Sequence, residues 1–209
     1  MNSYGEKKVI FTIGHSTHPL NEFIDLLRRN QITAVADVRS VPYSQFQPQF
    51  NREKIKEELK KSGIEYVFLG EELGARSKDL SNYENGKVQY RRLAQTELFR
   101  RGIERLKTGM SKHRIVVMCT EKEPLECHRT LLVARELDAE GVPVAHIHAN
   151  GSTETHAEAM DRLLKTVNSS NEDMFHSRAD RIARALARQE EHVAYVLEES
   201  TGNKLRETS

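Results

Sequence analysis

The sequence predicts an α/β protein: a mostly parallel five-stranded sheet with helices on both faces, followed by a C-terminal helical extension. Three observations carry that expectation. Short apolar runs rich in β-formers recur along the chain, the segments between them place apolar residues at helical intervals, and this alternation holds from residue 8 to residue 167. Parallel strands joined by right-handed crossovers make an open sheet covered on both sides. At 209 residues the chain is long enough for one domain of roughly 150 residues with its own core, plus an appendage.

The elements follow in order. KVIFTIG (8–14) is a first strand, and the polar turn His15-Ser16-Thr17-His18-Pro19 leads into the helical segment LNEFIDLLRRN. ITAVADV (32–38) is a second strand with Asp37 at its end and Arg39 just beyond. A loop with two prolines and three aromatics, SVPYSQFQPQF, precedes the charged helix NREKIKEELKKSG and a third strand, IEYVFL (64–69). The polar stretch 70–87 exceeds ordinary connection lengths and reads as a functional or mobile loop. Residues 88–107 carry apolar residues at helical spacing, as a surface helix does. The fourth strand, 114–119, is followed by a helix from Pro124 to Gly141, where proline suits the first helical position. VPVAHIH (142–148) is the fifth strand, and a helix over His156 to Val167 closes the domain. Beyond Asn168 the polar SSNED reads as a linker, and Ala179 to Leu197 form a charged helix with a thin stripe of Ile182, Leu186, Val193 and Leu197. This divides the chain into an α/β domain, 8–167, and a linker with an amphipathic helix, 168–209. So thin a stripe suits docking on its own domain, on a second copy in a homodimer, or over a pocket.

Charge and composition narrow the function classes. Thirty-two basic against thirty-one acidic residues leave a net charge of +1, so the overall balance gives no footprint for nucleic acid or an anionic membrane. The amino terminus, MNSYGEKK, lacks the apolar core of a signal peptide, and no apolar run approaches the ~18 residues of a membrane span. The protein reads as cytoplasmic with no membrane partner, and its two cysteines as thiols rather than a disulfide.

The chemistry gathers in RIVVMCTEKEPLECHR (114–129), which holds both cysteines. Ile115 to Met118 form the continuous apolar block of a buried parallel strand, and Cys119 stands at its carboxyl end, where α/β sheets bind ligands. Parallel strands bring Gly14-His15-Ser16, Asp37-Val38-Arg39, Cys119 and His148 to one edge, joined by a helix start carrying Cys127, His128 and Arg129. A helix amino terminus with arginines beside it favours an anion and lowers a thiol pKa. The catalytic candidates are therefore Cys119, Cys127, His128, Asp37 and His15, with either thiol as the nucleophile and a histidine as proton acceptor. The binding candidates are Arg39, Arg129, Ser16, Ser44, Glu121 and His148, for a small anionic or phosphate-containing ligand. Asp37 and Arg39 read equally well as a structural pair holding a loop. Cys119, Cys127, His128 and one more histidine would also supply ligands that zinc accepts, but the spacing matches no compact zinc motif, and neighbours on a helix project about 100 degrees apart. No metal and no organic cofactor is assigned from the sequence.

TIGHS (12–16), DVRSVPYS (37–44), YVFLGEELGAR (66–76), CTEKEPLECHR (119–129) and VAHIH (144–148), in this order and spacing, closely resemble domain-of-unknown-function family 488 of bacteria and archaea. The resemblance covers roughly residues 8 to 165 and implies an α/β domain with one shared site, with no activity attached. The layout is also distantly similar to rhodaneses and the related cysteine phosphatases, which would put Cys119 in the place of the nucleophile. Glu121, Glu123 and Pro124 depart from that loop, and Leu125 stands where the phosphatase pattern has arginine. The expected function is an anion-binding, cysteine-containing site at the sheet edge, a thiol-dependent transferase or hydrolase. The alternatives are zinc binding and a non-catalytic nucleic-acid module using Arg39, Arg129, Arg91, Arg92, Arg100 and Arg101.

Overall fold

Every residue of β1 (Ile10–Gly14), β2 (Ala34–Asp37) and β6 (Ile115–Cys119) is buried, as expected of strands covered on both faces. By contrast β3 (Glu65–Phe68) alternates exposed and half-buried residues, the pattern of an edge. The computed structural model describes residues 8–167 and 176–197, and the expected linker lies outside the described residues. With β7 (Val144–Ile147) and β8 (Thr153–Thr155) the sheet has six strands in the order β3-β2-β6-β1-β7-β8. All pairs are parallel except β7 with β8.

Two apolar layers cover the sheet. On one face α1 (Leu20–Arg29) and α2 (Arg52–Lys61) bury Phe23, Leu27, Ile55 and Leu59 against Ile13, Val35, Val116 and Met118. The other face receives α5 (Glu97–Gly109), α7 (His156–Thr166) and α8 (Arg178–Val193), which pack with Ile10, Ala36, Val117 and Leu132. The crossovers that lead through α1 and α2 run toward β3, while those through the second layer run back across the sheet toward β7, as right-handed connections on opposite faces must. No described helix is long and apolar enough to cross a membrane.

The fold differs from the sequence reading in four places. The sheet has a sixth strand, β8, because backbone pairing of Ile147 with Thr153 and Ala145 with Thr155 makes a strand of three residues that bury no apolar side chain. The stretch 70–87 holds a short helix, α3 (Gly70–Leu73), and a hairpin of β4 (Tyr83–Glu84) and β5 (Lys87–Val88). Asn85 and Gly86 turn that hairpin with φ of 50° and 75°, the left-handed conformation that Asn-Gly favours. The helix expected over 88–107 is two, α4 (Tyr90–Gln95) and α5, because Thr96 adopts an extended conformation and caps α5 by accepting from Phe99 N. The helix expected from Pro124 is interrupted. Pro124–Glu126 form one 3-10 turn, Cys127 is extended, and a π-helical turn, Arg129–Ala134, then runs into α6 (Arg135–Ala139).

The tail is seated on the domain. Ser177 and Asp180 form a capping box that starts α8, Ala185 and Leu186 are buried, and Gln189 Nε2 donates to the Leu125 carbonyl. Glu190 accepts from the Tyr90 N–H at the start of α4, and the backbone of Tyr195 and Leu197 pairs with Val88 and Gly86. Leu186→Ala is expected to cost about 2 kcal/mol or more, as buried leucine truncations do. Urea unfolding measures it, and an unchanged midpoint would place α8 outside the cooperative unit.

Candidate functional site

Neighbouring strands β1 and β6 send the chain in opposite directions, β1 toward β2 and β6 toward β7. Such a reversal opens a crevice beyond the carboxyl ends of the two strands. Gly14 lies beside Cys119 there, and the pairing runs on into the loops through His15 N to Cys119 O and Ser16 N to Thr120 O. The loop after Cys119 folds over the end of β1 so closely that a Cβ on Gly14 would lie 1.8 Å from the Glu121 carbonyl oxygen. Glycine is required by that approach. Arg129 holds the loop down: fully buried, it donates from Nη1 to Glu121 O at 2.7 Å and from Nη2 to Lys122 O at 3.2 Å. Its guanidinium therefore faces loop carbonyls, where the sequence reading put it on the rim as an anion contact.

The two thiols meet over this loop. Cys119, Cys127 and His128 are buried, with His128 Nδ1 3.6 Å from Cys119 Sγ and 3.9 Å from Cys127 Sγ. His128 Nε2 donates to the Val38 carbonyl at 3.1 Å. That bond fixes the tautomer, so the Nδ1 lone pair of a neutral ring points at the sulfurs. Glu121 is exposed as a residue but turns its carboxylate inward, with Oε2 3.1 Å from Cys119 Sγ and 2.8 Å from Cys127 Sγ. Burial and then the neighbouring Cys127 raise the Cys119 thiol well above its ordinary pKa. Burial also pushes the Cys127 thiol up, but the hydrogen bond from Cys119, the positive charge of Arg129 and the hydrogen bond and charge of His128 once its ring is protonated outweigh it and bring it down. Burial of the Glu121 carboxyl end and the charge of Cys127 hold that acid above the usual range.

Beside the thiols runs a second buried chain. Asp37 accepts from Arg39 Nε at 2.9 Å, Arg39 Nη2 at 2.6 Å and the Tyr66 hydroxyl at 2.7 Å, so both of its oxygens are occupied. Arg39 also donates to Phe50 O and, through Nη1, to His15 Nε2 at 3.2 Å. His15 donates from Nδ1 to Ser16 O and stacks on Phe50 with ring centres 4.2 Å apart. Burial and the Arg39 charge lower its pKa to about 4. Asp37 and Arg39 thus take the structural arrangement that the sequence allowed, and they brace His15.

A cavity of about 230 Å³ opens on the thiols, lined by Cys119, Glu121, Cys127 and His128 together with Arg39, Arg76, Tyr90 and Tyr195. Other expected residues fall elsewhere. Ser44 closes a turn by accepting from Phe46 N and Gln47 N, and Ser16 serves through its backbone. His148 belongs to a separate, wide depression, where it bonds Glu154, which in turn binds Arg162. That depression is the larger of the two, but Arg162, Glu123, Glu154 and His148 in it satisfy one another. Tyr90, Arg76 and Tyr195 were missed as site residues. Arg76 does lie in the LGAR segment singled out in the sequence, whereas Tyr195 sits in the tail, where nothing marked it.

The fold and this cluster define a three-layer α/β protein with a cysteine–histidine site at its topological switch point. The family described as Domain of unknown function DUF488 matches residues 19–135, and the chain belongs to it. Comparison with curated proteins finds no match. The matched segment contains Asp37, Arg39, Cys119, Glu121, Cys127, His128 and Arg129.

Arg129→Lys is expected to lower stability by about 2–3 kcal/mol, since hydrogen bonds to charged groups contribute about 1.5–3 kcal/mol and an ammonium cannot span both carbonyls. Urea melts of the two proteins measure it, and equal stability would show that the loop holds itself. A second expectation concerns acid. His15, His146 and His156 are buried with pKa values lowered first by desolvation. The unfolded chain therefore binds protons that the folded one does not, and stability falls as pH drops from about 6.5, His15 taking up its proton in the fold only near 4. His15→Gln should flatten part of that decline in urea midpoints, and an identical slope would show that His15 takes up its proton alike in the folded and unfolded chain.

Proposed function

We propose that the rim cavity is the active site of a thiol-dependent enzyme, a transferase or hydrolase acting on a small anionic molecule in a reducing compartment such as the cytoplasm. The observation that carries this reading is the convergence of both thiols, the His128 imidazole and the Glu121 carboxyl group on one cavity whose lining includes two arginines. The roles follow from the geometry. His128 Nδ1 takes the proton from a thiol, and the thiolate sulfur forms a bond to the electrophilic centre of the substrate. The bond to the leaving group breaks, and the leaving group takes the proton back from Nδ1. Arg76, exposed at the mouth and stacked over the Tyr195 ring at 4.5 Å, supplies positive charge for the substrate anion. The small volume suits a substrate below drug size.

The distant likeness to rhodaneses and cysteine phosphatases agrees with a nucleophile at Cys119, the end of β6. The acidic loop agrees less well with that likeness, because Glu121 stands at the sulfurs. A thiol that transfers an acyl or sulfur-bearing group fits this loop better than one that takes up a phosphoryl group, because Glu121 stands at the sulfurs where the oxygens of a sulfur-bound phosphoryl group would lie, whereas a free anion can rest on Arg76 at the mouth.

Iodoacetamide applied to native, chelator-treated protein is expected to label one cysteine at least tenfold faster than the other, and inorganic phosphate is expected to slow that labelling. Peptide mass spectrometry identifies the residue. Two thiols that react only on unfolding, or labelling indifferent to phosphate, would remove the reading.

A further inference from the structure

We propose that Cys119, Cys127 and His128, completed by Glu121 at the cavity mouth, form a binding site for a soft divalent cation of the zinc class. Two sulfurs and one imidazole nitrogen lie within 4.8 Å of one another in a buried position. A tetrahedral zinc with bonds of about 2.3 Å to sulfur and about 2.0–2.1 Å to nitrogen has sulfur–nitrogen edges of about 3.5 Å. The distances from Nδ1 to the two sulfurs are 3.6 and 3.9 Å, so the imidazole nitrogen already stands close to ligand spacing from both sulfurs. Glu121 Oε2, 3.1 and 2.8 Å from the same sulfurs, supplies a fourth donor after an outward shift of about half an ångström from those contacts.

The surroundings fit a cation as well as the donors do. A metal-bound histidine commonly donates its other ring N–H to a carbonyl or carboxylate, and His128 Nε2 donates to Val38 O. Arg129 anchors the Glu121 backbone from beneath. Two thiolates and one carboxylate balance a dication together with the buried Arg129 guanidinium. With protons alone, the cluster crowds three acids around one imidazole, and a partly satisfied buried polar network is costly.

The backbone removes the objection that the sequence raises. Neighbouring residues of a helix diverge by about 100 degrees, but Cys127 is not helical: its φ of −140° and ψ of 141° are extended, and it separates the 3-10 turn before it from the π-helical turn after it. Cys127 and His128 therefore both reach Cys119, and the segment between the cysteines is a folded loop instead of a regular helix.

The inference goes beyond the thiol-nucleophile reading, because a cation turns both thiols into ligands and places a Lewis acid on the cavity wall. Glu121, at the solvent side, is the ligand placed to yield its position to a substrate oxygen or water.

The test begins with protein purified without chelator, analysed for metal, then stripped and titrated with Co²⁺ under reducing conditions. One equivalent of bound metal is expected, with the intense near-ultraviolet band of thiolate-to-cobalt charge transfer. Cys119→Ser, Cys127→Ser and His128→Gln should each weaken Co²⁺ binding by about tenfold or more. Glu121→Gln, at an exposed position that does not threaten folding, should weaken it without abolishing the band. Zn²⁺ should also block iodoacetamide labelling of the stripped protein. A folded wild-type chain that shows no charge-transfer band and retains no zinc on dialysis overturns the site. The two readings fail separately. Phosphate-sensitive labelling without a cobalt band keeps the thiol enzyme and removes the metal, and a cobalt band on thiols indifferent to phosphate does the reverse.

Discussion

The guanidinium of Arg129 is the constraint on which the site depends. A cation with no exposed surface must find acceptors inside the protein, and it finds them in two consecutive carbonyls, Glu121 and Lys122. Those two bonds fold the loop after β6 back across the end of β1, an approach that only a glycine at position 14 permits. From that one fold the neighbouring side chains diverge. Glu121 turns to the sulfurs, while Lys122 and Glu123 line the other depression, where Glu123 meets Arg162 at 2.8 Å. One buried cation thus separates a thiol cavity from an ion-paired groove.

The end of β2 supplies the second restraint. Val38 offers its carbonyl to His128 Nε2, and the residues on either side of it, Asp37 and Arg39, lock each other and His15. The imidazole facing the sulfurs is therefore oriented from a strand that lies two positions from β1 and directly beside β6. Residues far apart in sequence act as one rigid edge because the parallel ladder between β2 and β6 pairs Asp37 with Met118.

Much of this was legible in the sequence, and what was not has definite causes. The inner strands announce themselves because burial on both faces demands unbroken apolar runs, as in Ile115 to Met118. Strand β8 does not, since Thr153-Glu154-Thr155 is held by main-chain bonds that carry no side-chain pattern. Of the residues that topology was expected to bring to one rim, Cys119, Cys127, His128, Glu121 and Arg39 line one cavity. His148 and Ser44 do not line it, because a common strand edge still has two sides and turns take their own polar residues. Arg129 misled for a physical reason: an arginine at a helix start ordinarily looks outward, and nothing local says that two carbonyls will be brought to it from a loop.

The tail changes what the cavity is. Read from sequence, the helix over Ala179 to Leu197 docks on its own domain, on a second copy or over a pocket; Val193 and Tyr195 line the thiol cavity, and the Tyr195 ring carries Arg76. The backbone from 195 to 197 is fixed by bonds to Val88 and Gly86 in the hairpin, and the hairpin itself interrupts the long connection after β3. Cys119, Glu121, Cys127 and His128 lie inside the segment that matches the family, residues 19–135, while Val193 and Tyr195 lie beyond it. The cysteines, His128 and most of the cavity wall therefore lie in the family's segment, and Val193 and Tyr195 close the remaining side from the C-terminal end of the chain.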